Sequence, residues 1–311
     1  MQNIKGDMMK RDVKNEEQLL NTTLDVLEEC GATEAYQYII ANKGFLEEYS
    51  SQVYNFLYCL SALSGLKADA LAWIKEAVIE KKYWYRPEVL EDSDLDSIRN
   101  EEIFKECRKI SDKKYQKALK NTSTLCTWNT FKSNKLALVL HGNQQNISMC
   151  QEWNGMESNG YQVEYVQSKI IDSYKLYRWE NDSEIQLNQV VDTIEWGKYD
   201  SHILCGFSAG CNEILKTLLH GYIKCEGIIF QSPWMPVIDE NIEKIMDILE
   251  GNKIWIQLIC GKNDKDCSPL AEKFIAKADE RKIKCGIEWI EDLGHSYPEN
   301  FSEILNKLTE Q

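Results

Sequence analysis

Proline is scarce in this chain. There are five in 311 residues, and none precedes Pro87. The first quarter of the sequence therefore holds no residue that must break a helix. No run of 18 apolar residues occurs, so no helix is expected to span a bilayer. The opening MQNIKGDMMKRDVKNEE carries basic residues but no apolar stretch of the kind a secretory signal needs. Positive charge is outnumbered: 36 Lys and Arg stand against 50 Asp and Glu, for a net charge of -14. Such a surface is a poor partner for nucleic acid or an anionic membrane. No G-x-x-x-x-G-K-[ST] sequence occurs, which argues against a phosphate-cradling loop. The eleven cysteines include no C-x-x-C pair, and the Cys and His spacings match no zinc pattern. No metal and no cofactor is expected. Cys59, Cys205, Cys260 and Cys285 lie within apolar runs and read as small buried hydrophobes in a reducing cytoplasm.

What is present falls into two parts. Residues 1–121 read as an all-α domain of helical hairpins. NEEQLLNTTLDVLEEC repeats apolar residues at three- and four-residue spacing and stops at Gly31. TEAYQYIIANKG predicts a second, shorter helix. EEYSSQVYNFLYCLSALSG and LKADALAWIKEAVIEKK predict two longer ones, broken at Gly65. The acidic run 91–102 reads as a solvated face with helix caps, and ISDKKYQKALKN as a basic exposed helix. Trp73 reads as core of the helix pair. Residues 54–82 resemble one tetratricopeptide repeat: Tyr54 and Leu57 take first-helix packing positions, and Ala70 and Ala77 take the close-approach positions of the second. Tyr58 and Lys82 depart from that pattern. The resemblance implies a face for a protein partner.

Residues 122–311 alternate strands with helices. TLCTW, LALVLHG, VEYVQ, HILCG, CEGIIFQS, KIWIQLICG and CGIEWIED read as strands. QLNQVVDTIEWG and residues 210–219, 239–250, 269–281 and 299–309 read as helices. Continuous apolar strands between helices predict a mostly parallel sheet covered on both faces, with ligands bound beyond the carboxyl ends of the strands.

The second part centres on Gly206-Phe207-Ser208-Ala209-Gly210. An apolar run precedes it and a helical pattern follows at once. In that setting G-x-S-x-G marks a serine held on a sharp strand-to-helix turn. Residues two before and two after the serine must be tiny because the chain folds back there. A serine nucleophile needs a base, and the chain has four histidines. His202 begins a strand and His220 ends the helix after Ser208, both at the wrong end. His141 adjoins Gly142 and reads as a loop organiser. His295 alone sits in a loop beyond a late strand. The acid is Asp264 or Asp266, both in the loop CGKNDKDCSP.

With His141-Gly142, Ser208, the acid loop and His295 in that order, the second part resembles the small esterase-like branch of the α/β-hydrolase family. The resemblance spans nearly all of residues 135–309. It implies a three-layer α/β-hydrolase fold, here preceded by the all-α domain. It implies a triad of Ser208, Asp264 and His295, and spacing from Gly261 favours Asp264 over Asp266. The oxyanion donors it implies are the N–H groups of Ala209 and Asn143. The loop HGNQQNISMCQEW departs from the family by lacking the extra glycine many carboxylesterases carry after His-Gly. The stretch between Ser232 and Lys253 is too short for a large lid. Tyr174, Tyr177, Trp179, Trp234 and Met235 are the candidates for walls of a substrate pocket.

The expected activity is hydrolysis of a small carboxylic ester or thioester by a cytoplasmic serine esterase. A serine peptidase with the same triad is the enzymatic alternative. A protein-binding module using the second domain as scaffold is the non-enzymatic one.

Overall fold

The computed structural model describes residues 13, 15–123, 125–127, 131–179, 194–221 and 225–309. They divide into two units. The first comprises residues 1–121 together with Ile171–Leu176, and the second comprises residues 122–170 and 177–311.

The first unit is helical. Helix α1 (Glu16–Cys30) begins at Asn15, whose side chain accepts the Gln18 N–H. It buries Leu19, Leu20, Thr23 and Val26 on one face. It stops at Gly31, whose φ of 95° suits a residue without Cβ. Helix α2 (Ala32–Asn42) follows at once. Helix α3 (Ser51–Leu63) is capped by Ser50, which accepts from the N–H groups of Gln52 and Val53. Helix α4 (Lys67–Lys75) runs into a π-helical turn, Glu76–Glu80. Ala70 and Ala77 are fully buried. The Tyr54 hydroxyl donates to Glu76 Oε1 at 2.6 Å. Trp73 is half-buried and donates its indole N–H to the Tyr36 hydroxyl at 2.9 Å.

After a single turn, α5 (Pro87–Leu90), Arg99 ties the start of the acidic run together. The Arg99 guanidinium bonds the carbonyls of Leu90, Glu91 and Asp92 and the Asp96 carboxylate. Leu95 and Ile98 from this run enter the core, so it is more than a solvated face. Helix α6 (Glu102–Leu119) starts earlier than the basic pattern alone predicts, because Phe104, Cys107 and Ser111 form its buried stripe. Ser111 Oγ accepts from the N–H of Tyr85 and donates to its carbonyl. The segment Ile171–Leu176 packs within the same unit. Asp172 pairs with Arg86 at 2.8 Å, Ser173 bonds Ser51, and the Tyr174 ring stacks on Tyr83.

The second unit is a sheet of seven strands. β1 (Leu125–Cys126), β2 (Lys135–Leu140) and β3 (Tyr161–Gln167) come first, and the short β4 (Ile171–Ser173) and β5 (Leu176–Tyr177) that follow are not part of this sheet. Then come β6 (Ser201–Phe207), β7 (Gly227–Gln231), β8 (Trp255–Gly261) and β9 (Cys285–Ile290). The order across the sheet is β1-β3-β2-β6-β7-β8-β9. β1 runs antiparallel to β3, and every other pair is parallel. Thr124 and Trp128 of the expected leading strand lie outside the described residues, as do residues 186–193 of the expected helix QLNQVVDTIEWG.

Strand residues alternate between two cores. Leu136, Leu138 and Leu140 join Leu204, Ile228, Phe230 and Leu258 on one face, beneath α7 (Ala209–Leu219), α8 (Ile238–Asn252) and α9 (Ser268–Glu280). Ala137 and Val139 join Val163, Ile203, Cys205 and Ile229 on the other, beneath α10 (Phe301–Thr309). The result is three layers, helix on sheet on helix. The second cover of that face is a 3₁₀ segment, Ile147–Asn159. It buries Cys150, Trp153 and Met156, a spacing of three that matches three residues per turn. No helix among the described residues is long and apolar enough to cross a membrane.

Candidate active site

The sheet register brings five strand ends together at one edge. Leu140 pairs with Gly206, Phe207 with Gln231, Gln231 with Ile259, and Gly261 with Ile290. The residues just beyond those ends therefore meet at one edge. They are His141-Gly142, Ser208, Ser232, Asp264 and His295.

Ser208 sits between β6 and α7 with φ 51° and ψ -122°. A side-chain-bearing residue rarely adopts this conformation, and it costs on the order of 1–3 kcal/mol. The surroundings impose it. The Ser208 N–H donates to the Gln231 carbonyl at 3.1 Å, and the Cys211 N–H donates to the Ser208 carbonyl at 2.9 Å. The flanking glycines make room: a Cβ on Gly210 would lie 2.5 Å from the Leu140 carbonyl oxygen, and one on Gly206 would lie 2.8 Å from the Cys211 nitrogen. The Ala209 N–H is the first of α7 and has no carbonyl of its own helix to bond.

The loops after β8 and β9 are tied to each other. The N–H groups of Lys262 and Asn263 donate to the carbonyls of Ile290 and Leu293, both at 3.0 Å. Asp264 is brought to His295, and His295 Nδ1 donates to Asp264 Oδ2 at 2.9 Å. Asp266 is exposed. Burial alone would raise the Asp264 carboxyl. The hydrogen bond and charge of His295, with the Cys267 N–H on Oδ1 at 3.2 Å, outweigh it and hold the group below the ordinary carboxylate value. The His295 ring lies 5.2 Å from the ring of Phe207, the residue before the serine, and its side chain is 31% exposed.

His141 is fully buried. Its Nδ1–H donates to the Gly142 carbonyl at 2.6 Å, while Nε2 accepts from the Ser168 N–H and the Gln167 amide. That pattern requires the neutral ring. Desolvation accordingly pushes its pKa down to about 4. The ring stacks on Trp179 at 5.0 Å, and the Trp179 indole N–H donates to the His141 carbonyl. The Trp179 backbone N–H donates to Asn143 Oδ1 at 2.8 Å, and the Gly142 N–H donates to Gln145 Oε1 at 2.9 Å. His141 and Trp179 thus fix the loop, and the Asn143 N–H carries no described hydrogen bond. A Cβ on Gly142 would lie 3.1 Å from Ser208 Cβ, so this loop runs directly beside the serine.

Of the remaining candidates, Tyr177 is half-buried, 6.4 Å from the His141 ring. Trp234 is exposed, and Met235 is fully buried in the main core. Tyr174 belongs to the first unit. Cys267 is the residue that spacing did not single out. Its thiol is fully buried, donates to the Ser232 carbonyl at 3.2 Å and lies 3.5 Å from His295 Nδ1. Gln231 is equally unannounced: its amide donates to the Ser296 carbonyl at 2.8 Å, next to His295. Their only sequence signal is position, one turn after the acid and at a strand end.

A strained serine, a histidine held by an ionised carboxylate and free backbone donors can perform acyl transfer through a covalent intermediate. Residues 15–119 match the family described as the A/B hydrolase-like N-terminal domain. A crystal structure of an uncharacterized protein from Bacillus cereus ATCC 10987 is 31% identical, with 96% of this chain and 98% of that chain covered at a TM-score of 0.55. The structure of esterase PE8 is 16% identical over 61% of this chain and 98% of its own, at a TM-score of 0.48. That of Zea mays acyl-protein thioesterase 2 is 15% identical over 61% and 98%, at 0.44. No curated protein matches the chain.

Proposed function

The chain belongs to the same family as the Bacillus cereus protein, α/β-hydrolase-like proteins with a helical N-terminal domain, and from that premise we propose that it hydrolyses a small carboxylic ester or thioester with Ser208, His295 and Asp264 as its triad. The mechanism is of serine-hydrolase type. Ser208 Oγ attacks the acyl carbonyl as its proton passes to His295 Nε2. The carbonyl electron pair moves onto oxygen, which the N–H groups of Ala209 and Asn143 stabilise. The carbonyl re-forms, the leaving alcohol or thiol departs with the proton from His295, and an acyl-serine remains. Water, deprotonated by His295, repeats the sequence and frees the acid. Asp264 fixes the tautomer with Nδ1 protonated and stabilises the imidazolium that forms twice per turnover.

The observation that carries this reading is the 2.9 Å bond from His295 Nδ1 to Asp264 Oδ2. It leaves Nε2 as the acceptor nitrogen. Tyr177 and Trp234 are proposed to meet the acyl chain, with Trp179 and Met235 behind them. The eleven free thiols support a cytoplasmic setting. The helix pair α3–α4 is proposed as a tetratricopeptide-like docking face for a protein partner.

The test uses purified protein and p-nitrophenyl acetate. Ser208→Ala is expected to lower kcat/KM at least about a thousandfold. A fluorophosphonate probe should label the wild type and not the variant. Retained hydrolysis by Ser208→Ala would overturn the assignment.

A further inference from the structure

The Asp264–His295 pair has a third neighbour that general base catalysis does not need. Ligand atoms of Asp264, Cys267 and His295 all lie within 4.8 Å of one another. Carboxylate, thiol and imidazole together are the donor set that zinc takes. Two of the three edges are close to those of a tetrahedral ion. With bonds of about 2.3 Å to sulfur and about 2.05 Å to nitrogen and oxygen, the sulfur–nitrogen edge is about 3.5 Å and the nitrogen–oxygen edge about 3.3 Å. The sulfur–nitrogen separation here is 3.5 Å and the nitrogen–oxygen separation 2.9 Å. Sulfur needs no movement along that edge, and the carboxylate must open by a few tenths of an ångström.

We propose that Asp264 Oδ2, Cys267 Sγ and His295 Nδ1 form an inhibitory site for zinc or a similar divalent cation. The inhibition, though not the binding, rests on the reading of His295 as the base. The chemistry of the switch is a change of tautomer. In the metal-free site the imidazole proton is on Nδ1, and Nε2 is the acceptor nitrogen. A cation at Nδ1 takes that proton's position, so the proton moves to Nε2. Nε2–H cannot accept the serine proton. The carboxylate is already ionised, and the thiol gives up its proton to water, so one proton is released per ion bound. Water completes the fourth position. The ion enters past the histidine, the one ligand of the three with an exposed face, because Asp264 and Cys267 are buried.

Cys267 stands just before α9. Its thiol donates to the Ser232 carbonyl and lies 3.5 Å from His295 Nδ1, with its backbone N–H on the other carboxylate oxygen.

The experiment titrates chelator-treated wild type with Co²⁺ and with Zn²⁺. A thiolate-to-cobalt charge-transfer band is expected in the near ultraviolet and should be absent in Cys267→Ala. Zn²⁺ should inhibit p-nitrophenyl acetate hydrolysis by the wild type. In Cys267→Ala, measured against its own metal-free rate, the half-inhibiting concentration should rise at least about tenfold. A band of equal strength in both proteins, or equal inhibition of both, would overturn the proposal. Ser208→Ala separates the two readings. It should keep the cobalt band, because none of the three ligands is touched. If Ser208→Ala still hydrolyses ester, the triad assignment fails while the band continues to report the metal site.

Discussion

His141 makes the acid stability of this protein calculable. The ring is neutral in the fold, and burial pushes its pKa from 6.5 down to about 4. An unfolded chain protonates this histidine near its ordinary value. As pH falls below about 6.5, the unfolded state takes up a proton that the native state refuses, and stability is lost until the native ring also protonates near pH 4. Across the whole window the loss is about 3 kcal/mol, and between pH 7 and pH 5 it is about 2 kcal/mol. Asp264 works in the same direction, but its contribution is lost only below the ordinary carboxylate value of 3.8, outside the pH 5–7 interval. The comparison variant is His141→Gln, which keeps a donor and an acceptor but cannot titrate. Urea unfolding followed by tryptophan fluorescence at pH 7 and pH 5 gives the two slopes. With a denaturant dependence of about 3 kcal/mol per molar, the wild-type midpoint should fall about 0.6 M further than the variant's. The variant's absolute stability does not matter, because every other titrating group cancels in the difference. Equal midpoint shifts in the two proteins would refute the reasoning and would mean that His141 is protonated in the fold.

Two further outcomes follow from named contacts. Asp264→Asn should lower kcat on p-nitrophenyl acetate by about 10³- to 10⁴-fold through the wrong imidazole tautomer, whereas Asp266→Asn, an exposed change, should stay within about threefold; the reverse ranking would move the acid two residues along. Gly210→Ala should destabilise the second unit by several kcal/mol or leave it insoluble, because the new Cβ meets the backbone oxygens of Leu140 at 2.5 Å and His141 at 2.7 Å; a melting temperature within about 2 °C of wild type would contradict that close approach.

The strands of the second unit were legible because a parallel sheet buried on both faces needs continuous apolar runs, and LALVL, HILCGF, GIIFQ and WIQLICG are such runs. The serine turn was legible because its geometry demands glycine at two fixed positions. Other parts were hidden for physical reasons. Residues 147–159 carry buried Cys150, Trp153 and Met156 at a spacing of three, which fits neither the helical nor the strand period, so the segment read as loop. Ile171–Leu176 read as part of the second domain because nothing local reveals that Arg86, Ser51 and Tyr83 are its partners. The choice between Asp264 and Asp266 was open in the sequence because it depends on how one loop turns. That turn is set by backbone bonds to Ile290 and Leu293, nearly thirty residues away. Cys267 and Gln231 had no motif at all, since each acts by where a strand or helix end delivers it.

The same sheet edge treats two buried titratable groups in opposite ways, and the partners decide which. Burial disfavours charge on both His141 and Asp264. Around His141 the neighbours are one carbonyl oxygen and two N–H donors. These satisfy a neutral ring with one N–H and one lone pair. A second proton would face the Ser168 N–H and the Gln167 amide with no acceptor, so burial wins. Around Asp264 the neighbours are the Cys267 N–H and the His295 N–H, and both can only donate. A protonated carboxyl would have to turn its O–H toward a donor, so the charged form wins despite its desolvation. This opposition divides the labour of the site. The neutral histidine can hold the loop beside Ser208 without adding positive charge where an oxyanion's donors must stay rigid. The ionised aspartate can draw a proton onto His295 Nδ1 and leave Nε2 basic. A cation placed at Nδ1 would undo only the second arrangement, so the proposed metal switch would silence the base while leaving the serine turn and its donors intact.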